Sequence, residues 1–231
     1  GGATVGVAAD VHRQLDGLRD LGEHLSQALG CPVSDLWVMR NGYALATQAG
    51  LQRISDHLHS AGPGEAATLV GKLRIGLHHD VEVTDAPQLP GPIVSQAFCS
   101  ALPVAYGRVP AKQWETFARL ILKAAYEVTL LAGVLNARRG QSNTVLLTSL
   151  GGGAFGNAPE WIHDAMKHTL EGMSGYDLDV KLVSYGPPSS SLREQKLIKW
   201  RSNPPSTASS CPVTYAASSL ARNNTTRAMS S

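Results

Sequence analysis

Three groups of residues have the types and spacing that chemistry needs. The first is the run Gly151-Gly152-Gly153-Ala154-Phe155-Gly156-Asn157. It follows the apolar stretch TVLLTSL (residues 144–150) and precedes Pro159, so it reads as a strand turning through glycines into a helix. Such a turn presents unpaired backbone N–H groups and a helix N-terminus to an anion, and glycine lets the backbone come close to a phosphate. Asn157 is the expected N-cap, with Glu160 three residues on in capping-box position. The alternative is a structural turn that packs helix against sheet.

The second group is Asp80, Glu82 and Asp85, with His78, in IGLHHDVEVTD. Strand alternation puts Asp80 and Glu82 on one side with His78 beside them. Paired carboxylates suit general acid–base chemistry at a sugar's anomeric carbon, where positive charge develops. The same alternate spacing leaves open a divalent metal on His78, Asp80 and Glu82, or a solvated edge strand with no chemistry. The third group surrounds Cys99 in the small, apolar context AFCSA, which favours a buried thiol over a nucleophile.

Formally, Gly151, Gly153 and Gly156 also fit GxGxxG. A dinucleotide-binding unit would then carry an acidic residue at the end of the next strand, for the ribose hydroxyls. That strand, LDVKLVSY, ends in Tyr185-Gly186-Pro187, so the Rossmann reading loses its second anchor.

The elements that must hold these groups alternate in type. Apolar residues from Val11 to Leu29 recur every three or four positions up to a Gly30 stop, which predicts a helix. Leu36–Met39 reads as a strand before an Asn41-Gly42 turn, and residues 51–60 as a helix. Residues 73–83 alternate as a strand, and residues 93–106 read as a buried strand running into a loop. A long helix opens after Pro110, with Arg138 and Arg139 near its end, where positive charge suits the dipole. Residues 143–150 predict a buried strand, Pro159 starts a helix, and residues 178–185 predict a last strand. Strands separated by helices give an α/β fold with a mixed, mostly parallel sheet.

Composition narrows the class. The chain of 231 residues has 20 basic and 18 acidic residues, a net charge of +2 that does not call for nucleic acid or an anionic membrane. Cys31, Cys99 and Cys211 are an odd, sparse set with no CxxC pair, which argues against a disulfide framework and a structural zinc site. No stretch reads as the roughly 20 apolar residues of a membrane span. Past Gly186-Pro187-Pro188 the composition turns to Ser, Thr, Asn and Pro, which predicts a folded domain over 1–186 and a disordered tail over 187–231.

TVLLTSLGGGAFGN, the helix with Trp161-Ile162 and LDVKLVSYG together resemble the second half of a macrodomain. The longer run through IGLHHDVEVTD and VSQAFCSALPVAY is similar to a divergent branch of that superfamily, the MavL-type ADP-ribosyl hydrolases, related distantly to poly(ADP-ribose) glycohydrolases. The resemblance spans residues 36–185 and implies a three-layer α/β/α fold that binds ADP-ribose and hydrolyses an ADP-ribosyl bond on a modified protein. A reader that binds without turnover is the alternative. It further implies that residues Gly151 to Asn157 hold the pyrophosphate and that Gln96 and Ser100 lie near the ligand. Asp80 or Glu82 would act as acid–base and Asp85 would accept from a ribose hydroxyl. It implies no cofactor, an ADP-ribosylated protein as partner, and an intracellular, cytoplasmic setting. The family's early adenine-binding Asp and Asn-rich loop have no counterpart, nor have the two adjacent glutamates of poly(ADP-ribose) glycohydrolases beyond Gln96. The chain opens Gly-Gly-Ala-Thr, and the expectation is that an N-terminal portion is missing.

Overall fold

A computed structural model describes residues 15–183; the expected tail, the boundary at 186 and the first residues of the expected opening helix lie outside them. Helix dominates the described residues, at about 49% against 17% strand, so they form a mixed α/β structure with small sheets.

Helix α1 (Arg19–Leu29) buries Leu21 and Leu25, and Gly30 ends it in the left-handed conformation expected of a C-terminal stop. A short turn, α2 (Val33–Leu36), leads into strand β1 (Trp37–Arg40), which pairs antiparallel with β2 (Tyr43–Ala46). Asn41 and Gly42 both have positive φ, 49° and 79°, as a tight hairpin turn of the primed type requires. Thr47 caps α3 (Gln48–Ala61) by accepting from the Gly50 N–H at 2.9 Å, and α4 (Pro63–Val70) follows directly.

The molecule is organised around α5 (Ala111–Arg138), which packs against α3, α4 and α6 (Pro159–Gly172). Its buried residues include Trp114, Phe117, Ile121, Leu122 and Leu130, and the ring of Phe117 stacks on Trp37 at 5.4 Å. Burying each such side chain stabilises the fold by about 1.5–3 kcal/mol before entropy is subtracted. Arg119 of α5 bridges Glu115 and Asp164 at 2.8 and 2.7 Å, fastening α6 to it. By length and composition alone α5 could cross a membrane (hydropathy 1.4 over its best window), which corrects the expectation that no segment qualifies. Its apolar arc is instead the centre of the core.

Among the described residues the strands form three two-stranded sheets. β1–β2 and the pair β3 (Gly76–Glu82) with β4 (Ile93–Phe98) are antiparallel; β5 (Thr144–Leu147) and β6 (Asp179–Leu182) are parallel, joined through α6. The expected mostly parallel sheet is therefore realised in β5–α6–β6 alone. Expected as buried, β4 is largely exposed; among the described residues β3 is its only strand partner and no second sheet pairs with the two. Burial resumes only at Ala101–Val104, just before a single 3-10 turn (Val104–Tyr106).

Candidate functional site

β5 delivers the chain to the glycine run as expected, and α6 leaves it. Tyr126 of α5 secures the entrance: its hydroxyl donates to the Thr148 carbonyl at 2.8 Å and accepts from the Leu150 N–H at 2.9 Å. Burial pushes that hydroxyl well above the ordinary phenol range, so it stays a donor at any working pH.

Gly151 and Gly156 have φ of 75° and 70°, and both meet neighbours closely. A Cβ on Gly151 would collide with that of Ala101, and one on Gly156 would lie 2.8 Å from that of Ala105. Glycine at these two positions is required by conformation and by packing. Gly153 is unlike them, with open space where its Cβ would be.

Inside the loop, the N–H of Gly152 donates to Ser149, that of Gly156 to Gly153 and that of Asn157 to Gly151. The N–H groups of Gly151, Gly153, Ala154 and Phe155 have no acceptor among the described residues. Unpaired N–H groups at a strand-to-helix turn have the chemistry to hold an anion.

The N-terminus of α6 is built differently from the expectation. Ala158 is the N-cap, and no side chain caps it. Asn157 turns inward instead: it is buried, and its Nδ2 donates to the carbonyls of Leu102 at 2.9 Å and Gly151 at 3.3 Å. Its role is to tie the loop to the buried Ala101–Val104 segment, so the Asn157–Glu160 capping box does not form. Carbonyl acceptors in the core outcompeted the cap.

Above the loop stands a cluster that the sequence alone did not reveal. The rings of Phe155, Tyr43 and Tyr106 meet edge-to-face in all three pairs, with centroids 5.3–5.6 Å apart. Tyr43 comes from the start of β2 and Tyr106 from the 3-10 turn, so hairpin, turn and glycine loop share one partly exposed aromatic surface. Tyr43 lies over a hundred residues from Phe155 in the chain, and no periodicity links them.

The acidic group is elsewhere. A bulge interrupts β3: His78 faces Gln96 and Val81 faces Val94, so His79 and Asp80 together oppose Ser95. Asp80 takes the left-handed conformation there, φ 56°. The alternation slips by one residue, and His78 falls out of phase with Glu82. Asp80 ion-pairs with Arg139 at the end of α5, and Glu82 accepts from the Gly91 N–H at 3.0 Å, bracing the hairpin loop. Asp85 stands exposed in that loop. Arg139 is thirteen residues beyond Tyr126, about 20 Å at the helical rise of about 1.5 Å per residue. The carboxylates and the glycine loop therefore sit near opposite ends of that stretch of α5.

Of the remaining expected residues, Gln96 is half-buried opposite His78, and Ser100 is exposed with its hydroxyl on the Ala101 carbonyl at 2.9 Å. Cys99 approaches Thr129 Oγ1 at 3.7 Å, and burial pushes its thiol up, the opposite of an activated nucleophile. Among the described residues no group of three His, Cys, Asp or Glu side chains is arranged to hold a metal. A groove of about 500 Å³ lies at the start of β5, the far end from the glycine loop, with Val134, Arg138, Asn143 and Tyr176 in its lining.

No family model, curated protein or solved structure matches this chain.

Proposed function

We propose that this domain binds ADP-ribose through the loop from Gly151 to Phe155, as a macrodomain-like reader of ADP-ribosylated protein. The observation that carries this reading is the set of four N–H groups, at Gly151, Gly153, Ala154 and Phe155, left without acceptors at the C-terminal end of a parallel strand. In open α/β sheets that end is where ligands bind, and unpaired N–H groups there suit a pyrophosphate. The exposed rings of Tyr43 and Tyr106 beside Phe155 offer aromatic area against which the sugar or base can pack. The parallel β5–α6–β6 unit is of the kind that the same reading calls for.

Binding without turnover is favoured over hydrolysis. An acid–base group must lie within hydrogen-bond reach of the bond it helps to break. Asp80 and Glu82 are engaged with Arg139 and the Gly91 N–H, and Arg139 lies about 20 Å along α5 from Tyr126, which holds the entrance to the loop.

Isothermal titration with ADP-ribose, AMP and NAD tests the reading. The expected result is micromolar binding of ADP-ribose, weaker binding of AMP, and loss of both in Gly153→Glu. That substitution brings a carboxylate to the N–H groups without straining the loop. Equal heats in wild type and variant would overturn it.

A further inference from the structure

We propose that Tyr126, on the central helix, is the positioning residue that sets the glycine loop in its anion-binding shape. The inference deepens the ADP-ribose reading and rests on it for its ligand. Tyr126 is buried, 3% exposed, yet its hydroxyl does not serve the core. Both of its hydrogen bonds go to backbone atoms between the end of β5 and the first loop glycine: out to the Thr148 carbonyl and in from the Leu150 N–H.

The consequence is geometric. The Leu150 N–H is directed at the phenol and at the Thr148 carbonyl, 2.9 Å from each, and the chain must then turn at Gly151 with φ 75°. With Leu150 held, the backbone that enters Gly151, the first of the loop's unpaired N–H groups, is fixed in place. Loss of the phenol leaves the Leu150 N–H with the Thr148 carbonyl alone, so the peptide entering the loop is held less firmly. A loop ordered before binding does not lose that freedom when the anion arrives, so Tyr126 acts on affinity through preorganisation. Its hydroxyl remains protonated because burial disfavours the phenolate, so the buckle persists across the physiological pH range.

Tyr126→Phe keeps the ring and removes both hydrogen bonds. The control is Ser55→Ala, which removes a contact between α3 and α5, Ser55 Oγ to Thr116 Oγ1 at 3.2 Å, away from the loop. Titration with ADP-ribose is expected to show about tenfold weaker binding for Tyr126→Phe, as two lost neutral hydrogen bonds allow, and less than about twofold change for Ser55→Ala. A Tyr126→Phe affinity equal to wild type overturns the inference. If wild type does not bind ADP-ribose, it is the ligand reading that fails. Amide exchange on the wild-type chain tests the buckle by itself and needs no variant to fold. Leu150 is expected to be protected while Gly153 and Ala154 exchange freely; a Leu150 amide as fast as Gly153 overturns the inference.

Discussion

Asp80 and Arg139 form an ion pair that pins the bulge of β3 to the end of α5. One of the two residues that the sequence offers as acid–base, Asp80 or Glu82, is thus engaged in an ion pair. Both partners are substantially exposed, 46% and 39%, so the pair contributes little, about 0–1 kcal/mol. Asp80→Asn should lower stability by no more than this in urea denaturation and leave ADP-ribose affinity unchanged. A large loss of affinity would return Asp80 to the binding site.

The glycines of the loop should separate by mutation. Gly151→Ala forces a side chain into left-handed backbone and into Ala101, and should cost about 2–4 kcal/mol. Gly153→Ala meets open space and should be neutral or stabilising by about 0.5 kcal/mol. Chemical denaturation of the two variants side by side checks the contrast.

Three helices meet at one carboxylate. Glu65 of α4 accepts from His57 of α3 at 2.9 Å and His24 of α1 at 2.8 Å, through the same oxygen. The His57 hydrogen bond, joined by His24 and opposed by burial, holds its pKa below the ordinary 4.5. A carboxyl lowered in the folded state contributes stability above its unfolded value and loses it as pH falls through the folded one. The stability gap between wild type and Glu65→Gln should therefore be full at pH 6 to 7 and shrink progressively below about pH 4.5. Thermal melts across that range provide the check; a gap that is independent of pH would contradict the assignment.

Cys99 should behave as a half-buried thiol of low reactivity. With its pKa raised by burial, alkylation at pH 8 should be slow in the folded chain and become fast on unfolding. Peptide-level mass spectrometry follows the site directly, and rapid labelling of the native protein at Cys99 would contradict the burial.

Much of the local structure was legible because local signals set it. Gly30 stops α1, Asn41-Gly42 makes the hairpin turn, Pro159 opens α6, and the apolar arc after Pro110 gives α5 its burial. Long-range geometry was not legible. A one-residue bulge at Asp80 moved the expected acid–base face out of phase, and nothing in IGLHHDVEVTD marks where a bulge will fall. Asn157 was drawn inward by carbonyls at Leu102 and Gly151, which capping rules do not anticipate. The cluster of Tyr43, Tyr106 and Phe155, and the Tyr126 buckle, depend on pairs far apart in sequence. Tyr126 read as one more residue in a helix with a broad apolar arc.

The most direct measurement is a nitrogen–proton correlation spectrum of the chain titrated with ADP-ribose. The amides of Gly151, Gly153, Ala154 and Phe155 should shift together and saturate, while Asn157 and Leu150, already bonded, move least. Shifts confined to the groove around Arg138 and Tyr176, or no shifts at all in folded protein, would contradict a glycine-loop site for ADP-ribose.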